Sequence, residues 1–329
     1  MKRYVLLCLG LLLLAACRKD DLVICYPTAT AAFADITAAA PPTQSFAFNL
    51  GQPQTLRTTR GTIIRFAANA FVLPDGSPAT GNATLRVREL HTVGDIFLAG
   101  MHTNLSRFSN QLLVSAGEFN LQAWQGNTRL RWGPVGVATA VPGPSLASPI
   151  PRSGVDTVAA MFLWNLPFAA SGGAAPAAAA DSLGWRPVRQ GTQSTWNPLL
   201  QSNGYYTAML PLDSISWLNF DQYWQPNTSA VWSSAQVQVP GGATETRVYL
   251  RPVGYTSLSR TFPVANSASS PLWTARLPNG TDVQVIVLQA REGKLYFGTG
   301  RYVWQAGLLM TPALQELSAA EIVQRSRQL

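Results

Sequence analysis

Cysteine, histidine and charged side chains are all scarce in this sequence, and each shortage excludes a class of protein. Three cysteines in 329 residues cannot build a disulfide-rich scaffold. Two histidines leave few side chains for a metal site. Charged residues make up only 12% of the chain, and the basic ones are scattered along it, which argues against a nucleic-acid partner.

The motifs of the common enzyme classes are also missing. The chain has no Gly-x-Ser-x-Gly nucleophile elbow, no phosphate-binding loop, no Gly-x-Gly-x-x-Gly fingerprint and no His-Glu-x-x-His zinc motif. We therefore expect a protein that is not an enzyme and that carries no cofactor.

The chain begins with an N-terminal leader. Lys2 and Arg3 precede an apolar run over residues 4–14, which two alanines follow. This order is typical of a secretory signal. A membrane-spanning helix needs roughly 20 apolar residues. Because charged residues interrupt the run sooner, the sequence predicts export rather than membrane integration.

The end of the leader resembles the lipobox of bacterial lipoproteins, with the sequence Leu14-Ala15-Ala16-Cys17. The resemblance implies that residues 1–16 are a signal peptide, that cleavage follows just before Cys17, and that Cys17 carries a diacylglyceryl group. Several acyl chains at about 0.8 kcal/mol per buried methylene give a stable anchor. Residues 17–45 are then anchor and linker.

Such processing changes the composition of the mature chain. Cys8 leaves with the leader and Cys17 is acylated, so Cys25 is the remaining thiol and no intrachain disulfide can form. Pairing between chains is one role for Cys25, but a small buried hydrophobe is the favoured interpretation. Without the two basic residues of the leader, 22 basic and 16 acidic residues remain, a formal charge of +6 that is typical of a soluble surface.

The residues after the anchor resemble the Lys-Asp-Asp export signal of Bacteroidota-type lipoproteins, here Lys19, Asp20 and Asp21. The resemblance implies an outer-membrane lipoprotein that faces the cell exterior and whose lipid contacts the membrane. A plain charged linker is the alternative interpretation.

From Phe46 onward, short alternating runs separated by glycine, proline, asparagine and aspartate predict an all-β fold. In residues 83–91 and 118–123, apolar and polar side chains alternate, so one face of each strand should be core and the other solvent. Gly126 and Asn127 predict a hairpin turn, and residues 74–78 predict another turn.

The predicted architecture has two β-sandwich-like parts and a short C-terminal helix. An N-terminal domain covers residues 46–165, with a long loop or join at 133–154 and a strand at 156–164. A flexible Ala/Gly/Pro insertion follows at 166–183. A second β-rich domain covers residues 184–310, with strands predicted at residues 205–210, 231–239, 246–251, 282–289 and 294–297.

Two further local patterns lie near the C-terminus. Residues 283–288 are apolar on both strand faces except for Gln284, which predicts a central strand. Residues 311–329 should be helical: Thr311 and Pro312 are typical of a helix start, and Ser318 with Glu321 forms a capping box. We expect the helix to dock on the preceding β part through Leu314, Leu317 or Ile322, because a short helix is not stable alone.

Residues 61–72 resemble a module of exported Bacteroidota-type proteins of unknown function, whose usual phrase is Gly-Thr-x-Ile-x-Ile-Pro-Ala-Asn-Ala-Phe; Ala67 replaces the proline. The similarity covers roughly residues 50–131, and residues 216–223 look like a Trp-Ile-Asn-x-Asp phrase that follows the module. The module is loosely similar to the ZU5 β-sandwich. The resemblance implies a non-enzymatic interaction fold and supplies no catalytic residue.

Four side chains are candidate metal ligands: Glu89, His91, Asp95 and His102. Glu89 and His91 lie on one strand face, and the other two follow closely in sequence. Metal sites need converging ligands, which spacing alone does not establish. The favoured interpretation is that Glu89 ends a core strand as a paired carboxylate, and no bound metal is predicted.

Surface features are the remaining candidates. Ten tryptophans are present, and Trp185, Trp196, Trp224 and Trp232 stand in polar or loop-like contexts where they would offer stacking faces. We expect most tryptophans to be core instead. Three Asp-Ser/Thr-aliphatic tripeptides resemble O-glycosylation acceptors of these bacteria, at Thr157, Ser182 and Ser214.

The sequence thus favours a lipid-anchored surface protein that acts as a non-catalytic interaction or accessory module, with an unknown protein or glycan partner. A glycan-binding or glycan-processing accessory is the second hypothesis. A metal-dependent enzyme is the third.

Overall fold

The computed structural model describes residues 33–105, 112–133, 145–149, 162–165, 185–187, 199–200, 205–209, 217–224, 230–264 and 271–329. Several predictions lie outside these residues: the signal peptide, Cys17, Cys25, the export signal at Lys19, Asp20 and Asp21, the 166–183 insertion, Trp196, and the glycosylation candidates Thr157, Ser182 and Ser214.

The all-β prediction is confirmed, because strands dominate the described residues and the helices are short. The helices are α1 (Ala34–Ala38), α2 (Val93–Leu98) and α3 (Ala319–Ser326). Within the described residues, no helix is long and apolar enough to span a membrane.

Two sheets form the first sandwich. The first sheet has the order β1 (Gln44–Asn49), β5 (Asn82–Leu90), β6 (Leu113–Gln125), β14 (Trp217–Tyr223), β10 (Phe162–Asn165) and β11 (Arg186–Pro187), and β7 (Thr128–Arg129) also pairs with β6. The second sheet has the order β12 (Leu199–Leu200), β13 (Tyr205–Met209), β9 (Ser145–Pro149), β3 (Ile63–Phe66) and β2 (Gln54–Arg57). A small ladder joins β4 (Phe71–Val72) to β8 (Arg131–Trp132).

Alternating side chains fill the core between these two sheets. Leu85 and Val87 of β5 and Leu121 of β6 point inward and meet Ile64 and Phe66 of β3 in one buried cluster. Successive strand residues point to opposite faces, so the intervening polar residues lie on the outer side of the first sheet. The predicted core face of residues 83–91 is therefore confirmed.

The two predicted turns are also confirmed. Gly126 has a φ of 56° in the turn that joins β6 to β7, and Gly76 has a φ of 88° in the turn after β4. Glycine adopts this left-handed region without the steric penalty that a Cβ introduces.

The prediction of a loop over residues 133–154 is wrong in part, because β9 lies within it. This strand pairs with β13 on one side and β3 on the other. Proline and serine in its sequence obscure the strand pattern, but Pro149 stands at the strand end, where proline is tolerated. Partners distant in sequence hold the strand in the sheet.

Sheet pairing does not follow the predicted division between residues 165 and 184. Strands β11, β12, β13 and β14 come after that division in sequence, yet each belongs to a sheet of the first sandwich. Strand β14, which carries the second phrase of the family resemblance, pairs with β6 over seven residues. The first sandwich therefore extends to Tyr223 in sequence.

The third sheet builds the second β-rich part. Its order is β21 (Leu309–Met310), β15 (Trp232–Gln238), β18 (Leu272–Pro278), β17 (Ser259–Val264), β16 (Glu245–Pro252), β19 (Asp282–Arg291), β20 (Lys294–Val303) and β22 (Gln315–Glu316). Its two halves fold over each other, because Val237 of β15 and Trp273 of β18 share a core with Val285 of β19.

Strand β19 is central, as predicted. It lies between β16 and β20, and Val283, Val285 and Val287 enter the core of the third sheet. Ile286 and Leu288, on the opposite face, enter a second cluster that we call the central core. The central core also contains residues of all three helices and of the first sheet, including Ile36, Ile96, Trp217 and Ile322.

The C-terminal segment is only partly helical. Helix α3 and its capping box are confirmed: Ser318 Oγ accepts the Glu321 backbone N–H, and Glu321 Oε2 accepts the Ser318 N–H at 2.8 Å. The helical turn predicted at Pro312 is wrong, because residues 311–314 form no helix and lead directly into β22, which pairs with β20. The chain at Ala313 passes very close to β20: a Cβ on Gly298 would clash with the Ala313 carbonyl oxygen. Because glycine has no Cβ, the two backbones can approach this closely.

Helix α3 docks as predicted. Ile322 is fully buried in the central core, Leu317 packs against the same core, and Leu314 packs against the core of the third sheet. Helix α2 approaches α3 closely, since a Cβ on Gly94 would lie 2.4 Å from the Ser326 carbonyl oxygen. A larger residue at position 94 would push the helices apart.

The capping box provides a test of this docking. We expect Ser318→Ala to lower the free energy of unfolding by about 0.5–2 kcal/mol, because it removes the acceptor of an otherwise unpaired N–H. Thermal unfolding monitored by circular dichroism measures the change. Gln324→Ala, at an exposed position of the same helix, is the matched control and should not lower the midpoint. Equal midpoints for Ser318→Ala and wild type would contradict the role of the cap.

Candidate functional site

Glu89 and His91, two of the predicted metal candidates, lie side by side, but the carboxylate is enclosed by protein donors. Glu89 is 1% exposed. Its Oε2 accepts hydrogen bonds from Thr58 Oγ1 at 3.0 Å and Thr62 Oγ1 at 2.6 Å, and it lies 3.2 Å from His91 Nε2. Its Oε1 accepts one from Gln44 Nε2 at 3.0 Å.

These donors decide the ionisation of Glu89. Burial alone would raise its pKa, but the hydrogen bonds from His91, Thr62 and Thr58 outweigh burial and lower the pKa to about 2. The carboxylate is therefore charged at neutral pH, and it ties β5 to the loop between β2 and β3. Glu89 is the paired carboxylate at the end of a core strand that the sequence favoured.

Asp95, the third metal candidate, is also engaged by protein groups. Arg60 donates two hydrogen bonds to its carboxylate, one to each oxygen. The backbone N–H groups of His91 and Thr92 donate to Asp95 Oδ2 at 3.1 Å, and Thr92 Oγ1 accepts the Asp95 N–H, which completes a capping box on α2. Asp95 thus starts a helix and holds an ion pair.

His102, the fourth candidate, lies in a polar contact between the two β parts. Its Nδ1 accepts the Asn104 N–H at 3.2 Å, and its carbonyl oxygen accepts the Trp185 Nε1–H at 2.6 Å. Asn104 in turn donates to Ser259 Oγ at 2.8 Å. Among the described residues, no three or more His, Cys, Asp or Glu side chains are grouped so as to hold a metal ion.

A second carboxylate pair lies under the central core, on neighbouring strands. Glu118 of β6 and Asp221 of β14 are both 0% exposed. Asn219 donates a hydrogen bond to Asp221 Oδ2. In the described part of the chain, neither oxygen of Glu118 nor Oδ1 of Asp221 has a hydrogen-bond partner.

Burial favours the neutral form of this pair, because within the described residues Glu118 has no hydrogen-bond donor and Asp221 has one at Oδ2 alone. It raises the pKa of Glu118 well above its ordinary value, and the nearby Asp221 carboxylate raises it further. Burial likewise raises the pKa of Asp221. Two fully buried carboxyls with raised pKa values are a source of pH-dependent stability, not an open binding site.

The tryptophans are mostly core, as predicted. Among those described, seven are buried: Trp132, Trp164, Trp185, Trp217, Trp224, Trp273 and Trp304. Trp185 and Trp224, which the sequence offered as surface candidates, belong to this group. Trp232 is half-buried and lies edge-on to Trp224, with ring centroids 6.5 Å apart.

One half-buried tryptophan stands on an open sheet surface. We call this surface the basic face; it is the outer side of the first sheet beyond the central core, formed by Thr84, Arg86, Arg88, Asn120, Gln122, Trp124 and Arg129. Cross-strand pairing places these residues together, with Arg88 opposite Asn120, Arg86 opposite Gln122, and Trp124 between Thr84 and Arg129.

Hydrogen bonds and one cation–π contact order the basic face. Trp124 Nε1 donates to Gln122 Oε1 at 3.2 Å, and Gln122 Nε2 donates to Asn120 Oδ1 at 2.9 Å. The Arg86 guanidinium carbon lies 5.2 Å from the centre of the Trp124 ring. The Arg88 Nε donates to the Pro41 carbonyl oxygen at 2.7 Å. Each long side chain is therefore held in place by a neighbour.

The electrostatics of the basic face are one-sided. None of its seven residues is acidic, and among the described residues neither Arg86 nor Arg88 has a carboxylate partner. Burial lowers the pKa of Arg88 from its ordinary value. The face therefore presents cations with no compensating charge of its own.

The alternation of polar and apolar residues in the sequence predicts part of the basic face. It assigned Arg86, Arg88, Asn120 and Gln122 to the solvent face of their strands, and the structure places them on that face. The same alternation assigned Glu118 to solvent, which is wrong, because the central core covers it. The same period continues to Trp124 and places it on this face as well. The pairing of β5 with β6, which brings the arginines to the amides, depends on tertiary structure.

No protein-family model and no curated protein matches this chain.

The buried carboxyl pair makes a pH-dependent prediction. Because the folded-state pKa of Glu118 is raised above the unfolded one, its stabilising effect is fully present below about pH 4 and is lost as pH rises through the folded pKa. Glu118→Gln should therefore gain stability relative to wild type as pH rises from about 4 to about 8. Urea unfolding at both pH values measures this difference.

Glu292→Gln, at an exposed turn, is the matched control and should keep the wild-type pH dependence. A difference between Glu118→Gln and wild type that does not change with pH would show that the buried carboxyl does not titrate in this range.

Proposed function

We propose that this chain is an exported lipoprotein, anchored through Cys17 in the outer membrane with its folded part facing the cell exterior, and that it acts as a non-catalytic binding protein. The partner binds on the basic face. The anchor assignment is supported by the leader and the lipobox resemblance; the binding role is supported by the arrangement of the face.

The observation that carries the binding role is a set of ordered, exposed or half-buried polar groups on a sheet surface. Arg86 is held over Trp124, and the amides of Gln122 and Asn120 form a hydrogen-bonded row beside it. Side chains that are already ordered lose little entropy when a partner binds. Regular strands also position such groups more accurately than loops do.

The metal-dependent enzyme is not supported by the geometry of its candidate residues. Glu89 and Asp95 use their oxygens on protein donors, and His102 belongs to a separate contact with Asn104 and Trp185. Ligands of a metal must converge on one point. The glycan-binding hypothesis is supported by the basic face and is developed below.

The lipid anchor has a direct test. We expect Cys17→Ser to abolish incorporation of a fatty-acid probe, because the acceptor thiol and the cleavage site are lost together. The folded part should keep its thermal midpoint, because Cys17 lies in the segment that the sequence assigns to anchor and linker. Cys25→Ser is the matched control and should be labelled like wild type. Labelling that persists in Cys17→Ser would rule out the lipobox.

The destination has a second test. Replacing Lys19, Asp20 and Asp21 together by Ala should protect the protein from protease added to intact cells, because the signal for the outer leaflet is removed. Immunoblotting after protease treatment measures the change. Arg18→Ala keeps the three signal residues and should stay accessible; if the triple variant is equally accessible, the segment is only a linker.

A further inference from the structure

We infer that the basic face binds an acidic polysaccharide, with the carboxylates of uronate residues paired to Arg86 and Arg88. This inference rests on the proposed function, since it takes the basic face as the binding surface and names the chemical class of its ligand.

Arg86 is arranged as a carboxylate receptor. Its guanidinium carbon lies over the Trp124 ring, 5.2 Å from the ring centre, in a cation–π contact that uses none of its N–H groups as hydrogen-bond donors. A planar guanidinium can pair with a carboxylate through two parallel hydrogen bonds. This contact restricts the side chain before the ligand arrives, which reduces the entropy lost on binding.

Arg88 offers a second guanidinium two residues further along β5. Its Nε donates to the Pro41 carbonyl oxygen at 2.7 Å, which uses one of five donors and fixes the direction of the side chain. Arg86 and Arg88 point to the same side of β5, and two residues of extended strand separate their backbones by roughly 7 Å. A ligand that pairs with both must therefore carry repeated negative charges, as a polymer does.

The amide row supplies donors for the sugar part of such a polymer. Trp124 donates to Gln122 and Gln122 donates to Asn120 Oδ1, so the row runs in one direction. Within the described residues the Asn120 amide nitrogen, at the end of the row, keeps its donor capacity. A face that offers mainly donors suits a ligand rich in hydroxyl and carboxylate acceptors.

Other anionic macromolecules suit the face less well. Single-stranded nucleic acids bind through successive aromatic rings on which bases stack, whereas this face has one ring and Arg86 covers it. A membrane surface calls for apolar side chains that enter the lipid, and the residues around Trp124 are polar. A neutral glycan would leave the two arginines without a charged partner.

The test measures binding of the full-length lipoprotein, extracted in detergent, to polygalacturonate by affinity electrophoresis. Carboxyl-reduced polygalacturonate is the matched neutral ligand. We expect binding to the acidic polymer alone, and loss of affinity with added salt. Arg86→Gln together with Arg88→Gln should weaken binding about tenfold or more, since each variant removes a charged hydrogen-bond donor.

The matched control variant is Arg65→Gln together with Arg276→Gln, which removes two exposed arginines from other strands and gives the same net charge. It should bind like wild type, and all variants should keep the wild-type thermal midpoint. Equal weakening in both double variants would mean that net charge alone attracts the polymer, and would overturn the inference. So would stronger binding to poly(dT) or to phosphatidylglycerol vesicles than to polygalacturonate.

Two further outcomes separate this inference from the proposed function. If wild type binds no acidic polysaccharide but is still labelled by the fatty-acid probe through Cys17, the ligand class is wrong and the anchored protein stands. If the polymer is bound but shortened during incubation, the ligand class stands and the non-catalytic role is wrong.

Discussion

Burial of strand β19 on both faces is the constraint on which the arrangement of the two β parts depends. Val285 and Val287 fill the core of the third sheet, while Ile286 and Leu288 point the other way into the central core. A strand that is apolar on both sides must be covered on both sides. The helices and one end of the first sheet supply the second cover, so this strand joins the two parts.

The same covering explains why three short helices persist in an all-β protein. Helix α3 is eight residues long, too short to be stable in isolation. Its Ile322 enters the central core, and its capping box satisfies the first backbone donors. The missing side chain of Gly94 lets α2 approach it. Packing and capping together stabilise helix α3, which its intrinsic helix propensity alone would not keep folded.

The central core covers only one end of the outer side of the first sheet, so the two ends of that side differ in environment. At one end Glu118 lies beneath the central core without a donor, and its pKa is raised. At the other end Trp124 and Arg86 remain accessible and form the basic face. Glu89, on the inner side of the same sheet, meets four donors and has a pKa of about 2. Environment, not residue type, decides which acid is charged.

Local chemistry in the sequence determined the strands with clear alternation, the turns at Gly76 and Gly126, the doubly apolar β19 and the capping box of α3, because each depends on neighbours a few residues away. Tertiary structure alone decided that β9 and β22 are strands, that β14 belongs to the first sandwich, and that Asp95 and His102 serve separate contacts. These outcomes depend on hydrogen-bond partners far along the chain. The basic face depends on both local sequence and tertiary structure. Alternation along each strand directs Arg86 and Gln122 toward solvent. The pairing of β5 with β6 brings the two residues together, and they stay accessible because the central core does not extend over this end of the sheet.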